Sequence, residues 1–238
     1  LINITQGYLR SLANGGHVEN PNGYDILFTD LNGSILNHQV EAYYPVTGNL
    51  VAWVRVPTLS ASGTTVVRMI YGNQAVTTDP SVETAWISSY RGVWHLSNDV
   101  FLDATSYSND VANNGTTDII GLIEEARSFD GNNDNLRTLS TTGFGGNAYN
   151  QTVSVWGRYT SLPASTQNMM ALQRSGSTSA VQLGIREVGG VYRIVVWNWS
   201  GAPLVYSNSL PSADAWHYYS YTFDGTNHRL YIDGAEVA

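Results

Sequence analysis

A dense turn of acidic and amide residues offers a site for a hard cation. Asp130, Asn132 and Asp134 lie close together along the chain, and Asp103 opens a second stretch rich in Asn and Ser. Ca²⁺ takes roughly 6–8 oxygen ligands from carboxylates, amides and backbone carbonyls. The sequence therefore predicts a structural calcium ion held by Asp103, Asp130, Asn132 and Asp134. The alternative is a turn closed by Asx hydrogen bonds without metal.

A group of aromatic residues favours a platform for sugars. Along the segment 191–199, a period of two places Trp197 and Trp199 on one strand face, and Tyr206 follows closely. Aromatic rings stack on the apolar faces of pyranose rings, and an amide such as that of Asn198 binds their hydroxyls. We predict a ligand site at Trp197, Asn198, Trp199 and Tyr206. The alternative is that these aromatic side chains fill the core.

The carboxylates do not show the arrangement of a glycosidase. Such enzymes need two carboxyl groups about 5–9.5 Å apart across the scissile bond. Glu124 and Glu125 are adjacent, so on a strand they point to opposite faces. The five histidines form no zinc motif, and no Gly-x-Ser-x-Gly elbow occurs, although sequence alone leaves a Ser-His-Asp triad open. We predict no enzymatic activity, with a polysaccharide-degrading enzyme as the least favoured alternative.

Composition excludes several functional classes. The formal net charge is -8, and no cluster of basic residues occurs, so the chain repels phosphate backbones. Cysteine is absent, which excludes disulfides and thiolate metal sites. No apolar run approaches the roughly 20 residues of a membrane span. We expect neither a nucleic-acid partner nor a membrane span.

Short strands joined by turns must position these side chains. Alternating apolar residues predict strands at 23–30, 50–56 and 66–71, then at 93–96, 152–159, 169–174, 181–186, 191–197, 216–223 and 229–232. The stretch 103–117 is predicted to be a loop. This spacing indicates an all-β chain of two β-sandwich modules. Between Gly72 and Tyr90 the alternation of apolar residues gives way to Pro80 and polar residues, which places the modules at 1–85 and 86–238.

The last hairpin resembles that of laminin-G-like jelly rolls. The run from Ala215 to Gly234 contains Trp-His, an apolar strand, Asp-Gly-Thr and Leu-Tyr-Ile-Asp-Gly. Three landmarks precede it in the family's order: Val93-Trp94-His95-Leu96, Ser128-Phe129-Asp130-Gly131 with Asp134, and Thr152-Val153-Ser154-Val155-Trp156. The resemblance covers about residues 90–238. It implies a concanavalin-A-like/laminin-G-like jelly roll, a fold in which many members hold a structural Ca²⁺ and some relatives are glucanases.

The N-terminal half resembles a prokaryotic domain family of unknown function. The resemblance rests on Gly15-Gly16-His17-Val18, Gly23-Tyr24-Asp25-Ile26, the run from Ala52 to Pro57, and Tyr71-Gly72-Asn73. That family commonly precedes laminin-G-like domains in large surface and secreted proteins. The resemblance therefore implies an extracellular or cell-surface location.

Together these features predict an extracellular binding or adhesion module. It would recognise carbohydrate or a cell-surface protein, with Ca²⁺ as a structural ion. The rival hypothesis is a structural repeat or filament subunit, since both modules resemble domains cut short by an outer strand. An unpaired sheet edge is a template for neighbouring copies of the chain.

Overall fold

The computed structural model describes residues 1–97, 101–144, 150–162, 166–173, 180–198 and 200–238. These residues form short strands joined by turns, as the sequence predicts, and the all-β fold class is confirmed. Contacts divide the chain into two compact units, Leu1–Val111 and Ala112–Ala238. The module boundary at 85 and 86 stays a prediction. Within the described residues, no helix is long and apolar enough to cross a membrane.

The first unit is built on two small antiparallel sheets. Its strands are β1 (Ile2–Thr5), β2 (Leu27–Thr29), β3 (His38–Tyr44), β4 (Asn49–Val54) and β5 (Arg68–Ile70). One sheet has the order β1-β4-β3, and the other pairs β2 with β5. Three 3-10 helices connect them, at Gly7–Leu9, Leu12–Asn14 and Glu83–Ala85.

A buried apolar cluster joins the two sheets of the first unit. Its fully buried members come from strands and from the loops between them: Leu9, Val18, Ile26, Phe28, Leu36, Leu50 and Ala52. The loops are tied to this core by the carboxylate of Asp25. Its oxygens accept backbone N–H groups of Glu19, Asn20 and Gly72 at 2.8–3.0 Å. One buried acid thus fixes two segments that are distant in sequence.

The second unit is a sandwich of two four-stranded sheets with two small two-stranded sheets before it in the chain. The strands of the small sheets are β6 (Val111–Asn114), which begins at the end of the first unit, β7 (Thr117–Ile120), β8 (Glu125–Ser128) and β9 (Asn135–Thr138), paired as β6-β9 and β7-β8. The sandwich strands are β10 (Gln151–Gly157), β11 (Gln167–Gln173), β12 (Ala180–Val188), β13 (Val191–Asn198), β14 (Pro203–Tyr206), β15 (His217–Phe223), β16 (His228–Ile232) and β17 (Ala235–Glu236). The two sheets have the orders β10-β15-β16-β17 and β11-β12-β13-β14.

Alternate residues of both sheets meet in one core. The sheet of β10 contributes Val153, Tyr219, Tyr221 and Leu230, and the sheet of β13 contributes Val181, Leu183, Ile185, Ile194 and Val196. Because side chains alternate along a strand, the residues between these positions face away from the core. Two outer faces therefore remain, and candidate ligand sites must lie on them or on the loops.

The predicted strand at 93–96 is wrong. The described backbone there is not a strand, and Leu96 takes a positive φ of 62°, which ends any extended run. One backbone hydrogen bond, from the Ala104 N–H to the Val93 carbonyl at 2.9 Å, and two contacts with side chains hold the segment instead. Val93 N–H donates to Asp103 Oδ1 at 2.9 Å, and Trp94 Nε1 donates to the Asn109 carbonyl at 2.9 Å. These contacts all lie within the first unit. The predicted loop at 103–117 is also interrupted, by β6.

Candidate functional site

The structure buries the tryptophan at the centre of the predicted sugar platform. Trp197 lies on β13 and is only 4% exposed, whereas Tyr206 on β14 is 41% exposed. Asn198 ends β13, where its Oδ1 accepts the backbone N–H of Ala202 at 3.1 Å and so closes a turn. Trp199 lies outside the described residues. Trp197 thus has almost no ring surface available to a ligand.

Each of these two aromatic rings has an arginine over its face. The guanidinium of Arg186 lies 5.7 Å from the ring centre of Trp197, and that of Arg193 lies 5.4 Å from the ring centre of Tyr206. Both guanidinium groups also donate to backbone carbonyls, at 2.6 and 2.9 Å. A cation clamped over an aromatic face occupies the surface that a sugar would need. This geometry supports a structural role for Trp197.

The other sheet carries a tryptophan that solvent does reach. Trp156 on β10 is 43% exposed and pairs in register with Tyr218 on β15. The ring centres are 5.2 Å apart and the ring planes are inclined at 48°. Because Val153 and Val155 pack in the core, alternation along β10 directs Trp156 away from it. An indole with a neighbouring phenol ring therefore lies on the solvent side of the sheet.

Hydroxyl groups surround this aromatic pair. Across the strands, Ser154 lies opposite Ser220, and Ser220 lies opposite Tyr231. None of these side chains is buried. We call the surface formed by Ser154, Trp156, Tyr218, Ser220 and Tyr231 the outer aromatic face. Its hydroxyls donate and accept hydrogen bonds, while its rings offer apolar contact, so it can bind a polyhydroxylated ligand.

Comparison with known families gives two matches. Residues 130–238 match the concanavalin A-like lectin/glucanases superfamily, and residues 22–94 match a domain of unknown function, DUF2341. The chain carries a concanavalin A-like domain. Both families are those that the sequence motifs indicate, so this identification is confirmed. No curated protein and no solved structure matches the chain.

The concanavalin A-like match begins at Asp130 and spans both sheets of the sandwich. It includes the whole outer aromatic face, while the landmark at 93–96 lies outside it. A domain of this superfamily indicates a binding or lectin-like module. The match to DUF2341 ends at Trp94 and lies within the first unit.

Sequence reasoning used Trp156 as a landmark of the fold but did not place it in a site. The signal was present in the alternation of β10, where Ser154 and Trp156 share the polar side. A large aromatic residue on an otherwise polar strand face is informative, because such a face is open to water. By contrast, the uninterrupted apolar run that ends in Trp197 is typical of a strand buried on both sides.

The first predicted calcium ligand, Asp103, has its oxygens engaged by the protein. Its Oδ1 accepts the N–H groups of Val93 and Thr105 at 2.9 and 3.0 Å. Its Oδ2 accepts the hydroxyl of Thr105 and the N–H of Asn109 at 2.9 and 3.0 Å. A carboxylate has about four lone-pair sites. Asp103 therefore organises its loop and has no lone pair left for a cation.

The other three predicted ligands share one turn before β9. Asp130 Oδ1 accepts the Asn132 N–H at 2.8 Å, and Asp134 Oδ2 accepts the Asp130 N–H at 2.8 Å. Backbone and side-chain hydrogen bonds from Asn132 hold the pKa of Asp130 below its usual range without a metal. Among the described residues, no group of three acidic or histidine side chains is placed to hold an ion. The geometry supports the Asx turn, and calcium binding there is untested.

A histidine of the concanavalin A-like domain has the neighbours of a catalytic triad. His217 Nδ1 lies 2.7 Å from Asp233 Oδ2, and His217 Nε2 lies 3.1 Å from Ser212 Oγ. Nε2 also lies 3.2 Å from the carbonyl oxygen of Ser212, and Asp233 Oδ1 accepts the Tyr218 N–H at 2.9 Å. These contacts tie the start of β15 to the turn that follows β16, so the group forms a structural hydrogen-bond network.

A second histidine, His95, lies in a polar and aromatic cluster of the first unit. Its Nδ1 is 3.2 Å from Glu41 Oε2, which also accepts the indole N–H of Trp53 at 2.6 Å. Its Nε2 is 3.1 Å from the Oε1 of Gln39. Burial lowers the pKa of His95 to about 4. These contacts make His95 a hydrogen-bonded member of the cluster.

Proposed function

We propose that this chain is a carbohydrate-binding module and that its outer aromatic face is the sugar site. The observation that carries the proposal is the exposed indole of Trp156, backed by Tyr218, on a face that also carries hydroxyl side chains and the Glu236 partner of Tyr231. Pyranose rings combine apolar C–H faces with equatorial hydroxyls, and this surface offers a partner for each. The concanavalin A-like match agrees with a binding role.

The shape of the surface favours an extended ligand rather than a small one. Residues two apart along a strand are separated by about 6.8 Å, so the ring pair of β10 and β15 and the serine-tyrosine pair of β15 and β16 form adjacent rows on the sheet. A ligand that crosses β10, β15 and β16 contacts both pairs. A chain of linked sugars meets this requirement, while a single ring covers only the indole.

The proposal keeps the extracellular or cell-surface location expected from the sequence. It also keeps a binding role in preference to catalysis. The support for a binding role is the exposed aromatic pair together with the match to a lectin-like superfamily.

A glycan array probed with the intact chain tests the proposal. We expect binding to extended glycans that survives EDTA, because no metal ligand belongs to the outer aromatic face. The rival hypothesis is a filament or repeat unit. It predicts that the chain binds no glycan on the array and that light scattering shows assembly as the protein concentration rises. That combined result would overturn the carbohydrate proposal.

A further inference from the structure

A cleft on the first unit brings an indole, a guanidinium and hydroxyl groups to one surface. It encloses about 290 Å³ and is lined by Arg55, Thr84, Trp86, Ile87, Ser88 and Ser106. Ligand clefts start at about 300 Å³, so this one suits a ligand of one sugar ring. None of these lining residues is acidic.

Three neighbouring side chains hold the indole of Trp86 in place. Trp86 Nε1 donates to Gln39 Oε1 at 2.8 Å. Its ring centre lies 5.2 Å from that of Trp53 and 5.3 Å from that of Tyr90. A ring held by three neighbours loses little freedom when a ligand stacks on it, which lowers the cost of binding.

Arg55 is the cation of the cleft, and most of its N–H donors remain available to a ligand. Arg55 follows β4, and its Nη1 donates to the Thr84 carbonyl at 3.2 Å. Within the described residues, no carboxylate is paired with Arg55. A guanidinium has five N–H donors in a planar fork that matches a carboxylate. This contact holds the fork at the cleft while leaving N–H groups for a ligand.

A second arginine, Arg91, holds the backbone of the lining residue Ser88. The carbonyl of Ser88 accepts Arg91 Nη1 at 2.9 Å and the hydroxyl of Tyr107 at 3.2 Å. The guanidinium of Arg91 lies 4.6 Å from the ring centre of Tyr107. These contacts fix the backbone that carries the Ser88 hydroxyl and add positive charge beside the cleft.

We propose that this cleft binds an acidic monosaccharide unit, a hexuronate. Arg55 pairs with the carboxylate, Trp86 stacks on the pyranose ring, and the hydroxyls of Thr84, Ser88 and Ser106 meet the sugar hydroxyls. The net charge of -8 opposes an anion at long range, but charges are screened beyond about 8 Å in physiological salt. The nearby guanidinium groups therefore decide the sign of the local interaction.

Titration of the intact chain with D-glucuronate and with D-glucose tests this site. The two sugars differ at one carboxylate, so we expect glucuronate to bind at least about tenfold more tightly. Arg55→Gln should remove that preference. Arg68→Gln is the matched control, because Arg68 is also exposed in the first unit and donates to one carbonyl, that of Leu31, at 3.1 Å.

The outcomes separate this proposal from the one above. Tyr206→Ala should leave glucuronate binding unchanged, because Tyr206 lies on β14 of the second unit and outside both proposed sites. Equal binding of the two sugars, equal effects of the two arginine variants, or no binding of glucuronate at about 50 mM would each overturn the hexuronate site. A thermal melt of each variant shows whether a lost preference reflects lost fold.

Discussion

Single carboxylates act in this chain mainly as anchors for backbone N–H groups. Asp25 is 1% exposed and connects the 19–20 segment with Gly72. Burial by itself would raise the pKa of Asp25, but the N–H donors of Glu19, Asn20 and Gly72 outweigh it and hold the pKa below its usual value of 3.8. The charged form is thus the one that the fold requires.

Replacement of Asp25 should destabilise the first unit. Asp25→Asn turns one acceptor oxygen into a donor that faces backbone N–H groups, and we expect a loss of about 1.5–3 kcal/mol in the free energy of unfolding. Urea unfolding followed by tryptophan fluorescence measures it. Asp30→Asn, at an exposed Asx turn, serves as the control, and an equal loss in both variants would contradict the anchoring role.

The carboxylate of Asp25 also makes the stability of the first unit depend on pH. The pKa of Asp25 is lower in the folded than in the unfolded chain, so its contribution is complete above the unfolded value and is lost as the pH falls through the folded one. Unfolding midpoints measured from pH 6 downward should fall less steeply for Asp25→Asn than for the unaltered chain. Parallel curves would contradict this assignment.

Trp197 is buried, whereas Trp156 is exposed to solvent. Because Trp197 is buried beneath Arg186, Trp197→Ala should cost about 3–5 kcal/mol of stability, the usual range for a large aromatic in a core. Thermal unfolding of the second unit measures this loss. A variant that keeps the original melting temperature would show that Trp197 is a surface residue after all.

At the scale of elements, the sequence predicts the strands of the sandwich well and its outer faces poorly. The alternation of Thr152 to Trp156 and the hairpin around Asp224 identify β10, β15 and β16, because apolar side chains recur every second residue. The ring of Trp197 is covered on one face by the guanidinium of Arg186 from β12. Such cover comes from long side chains whose direction local patterning does not specify.

The strand predicted at 93–96 shows a related limit. Its four residues have the composition of a strand, yet the partners of Val93 and Trp94 are Asp103 and Asn109, on a loop. A pattern in the sequence cannot distinguish a backbone paired in a sheet from one tied by side chains. The acidic turns are likewise ambiguous, since the same residues serve as metal ligands and as hydrogen-bond acceptors.

The hydrogen bonds of the turn at Asp130 predict that its folding does not require calcium. Its carboxylates already accept N–H donors, so we expect the turn to form without calcium. The melting temperature of the second unit should be the same in EDTA and in millimolar calcium chloride. A rise with calcium that disappears in Asp130→Asn would establish a metal site at this turn and restore the sequence interpretation.

At the scale of the whole molecule, two compact units of different families carry candidate sites of different chemistry. The concanavalin A-like domain offers an open aromatic face, and the first unit offers a cleft beside Arg55. A chain with both would recognise two kinds of sugar unit. Because each site lies within one unit, each can be removed by substitution without touching the other.

The central claim is that the outer aromatic face binds carbohydrate through Trp156. Isothermal titration with a glycan selected from the array, on the unaltered chain, Trp156→Ala and Tyr206→Ala, tests it most directly. Tyr206 is the matched control, an aromatic of similar exposure on the other sheet of the same domain. We expect Trp156→Ala to weaken binding at least about tenfold, the loss of one stacked ring, and Tyr206→Ala to leave it unchanged. Binding unaltered in Trp156→Ala and lost in Tyr206→Ala would contradict the account.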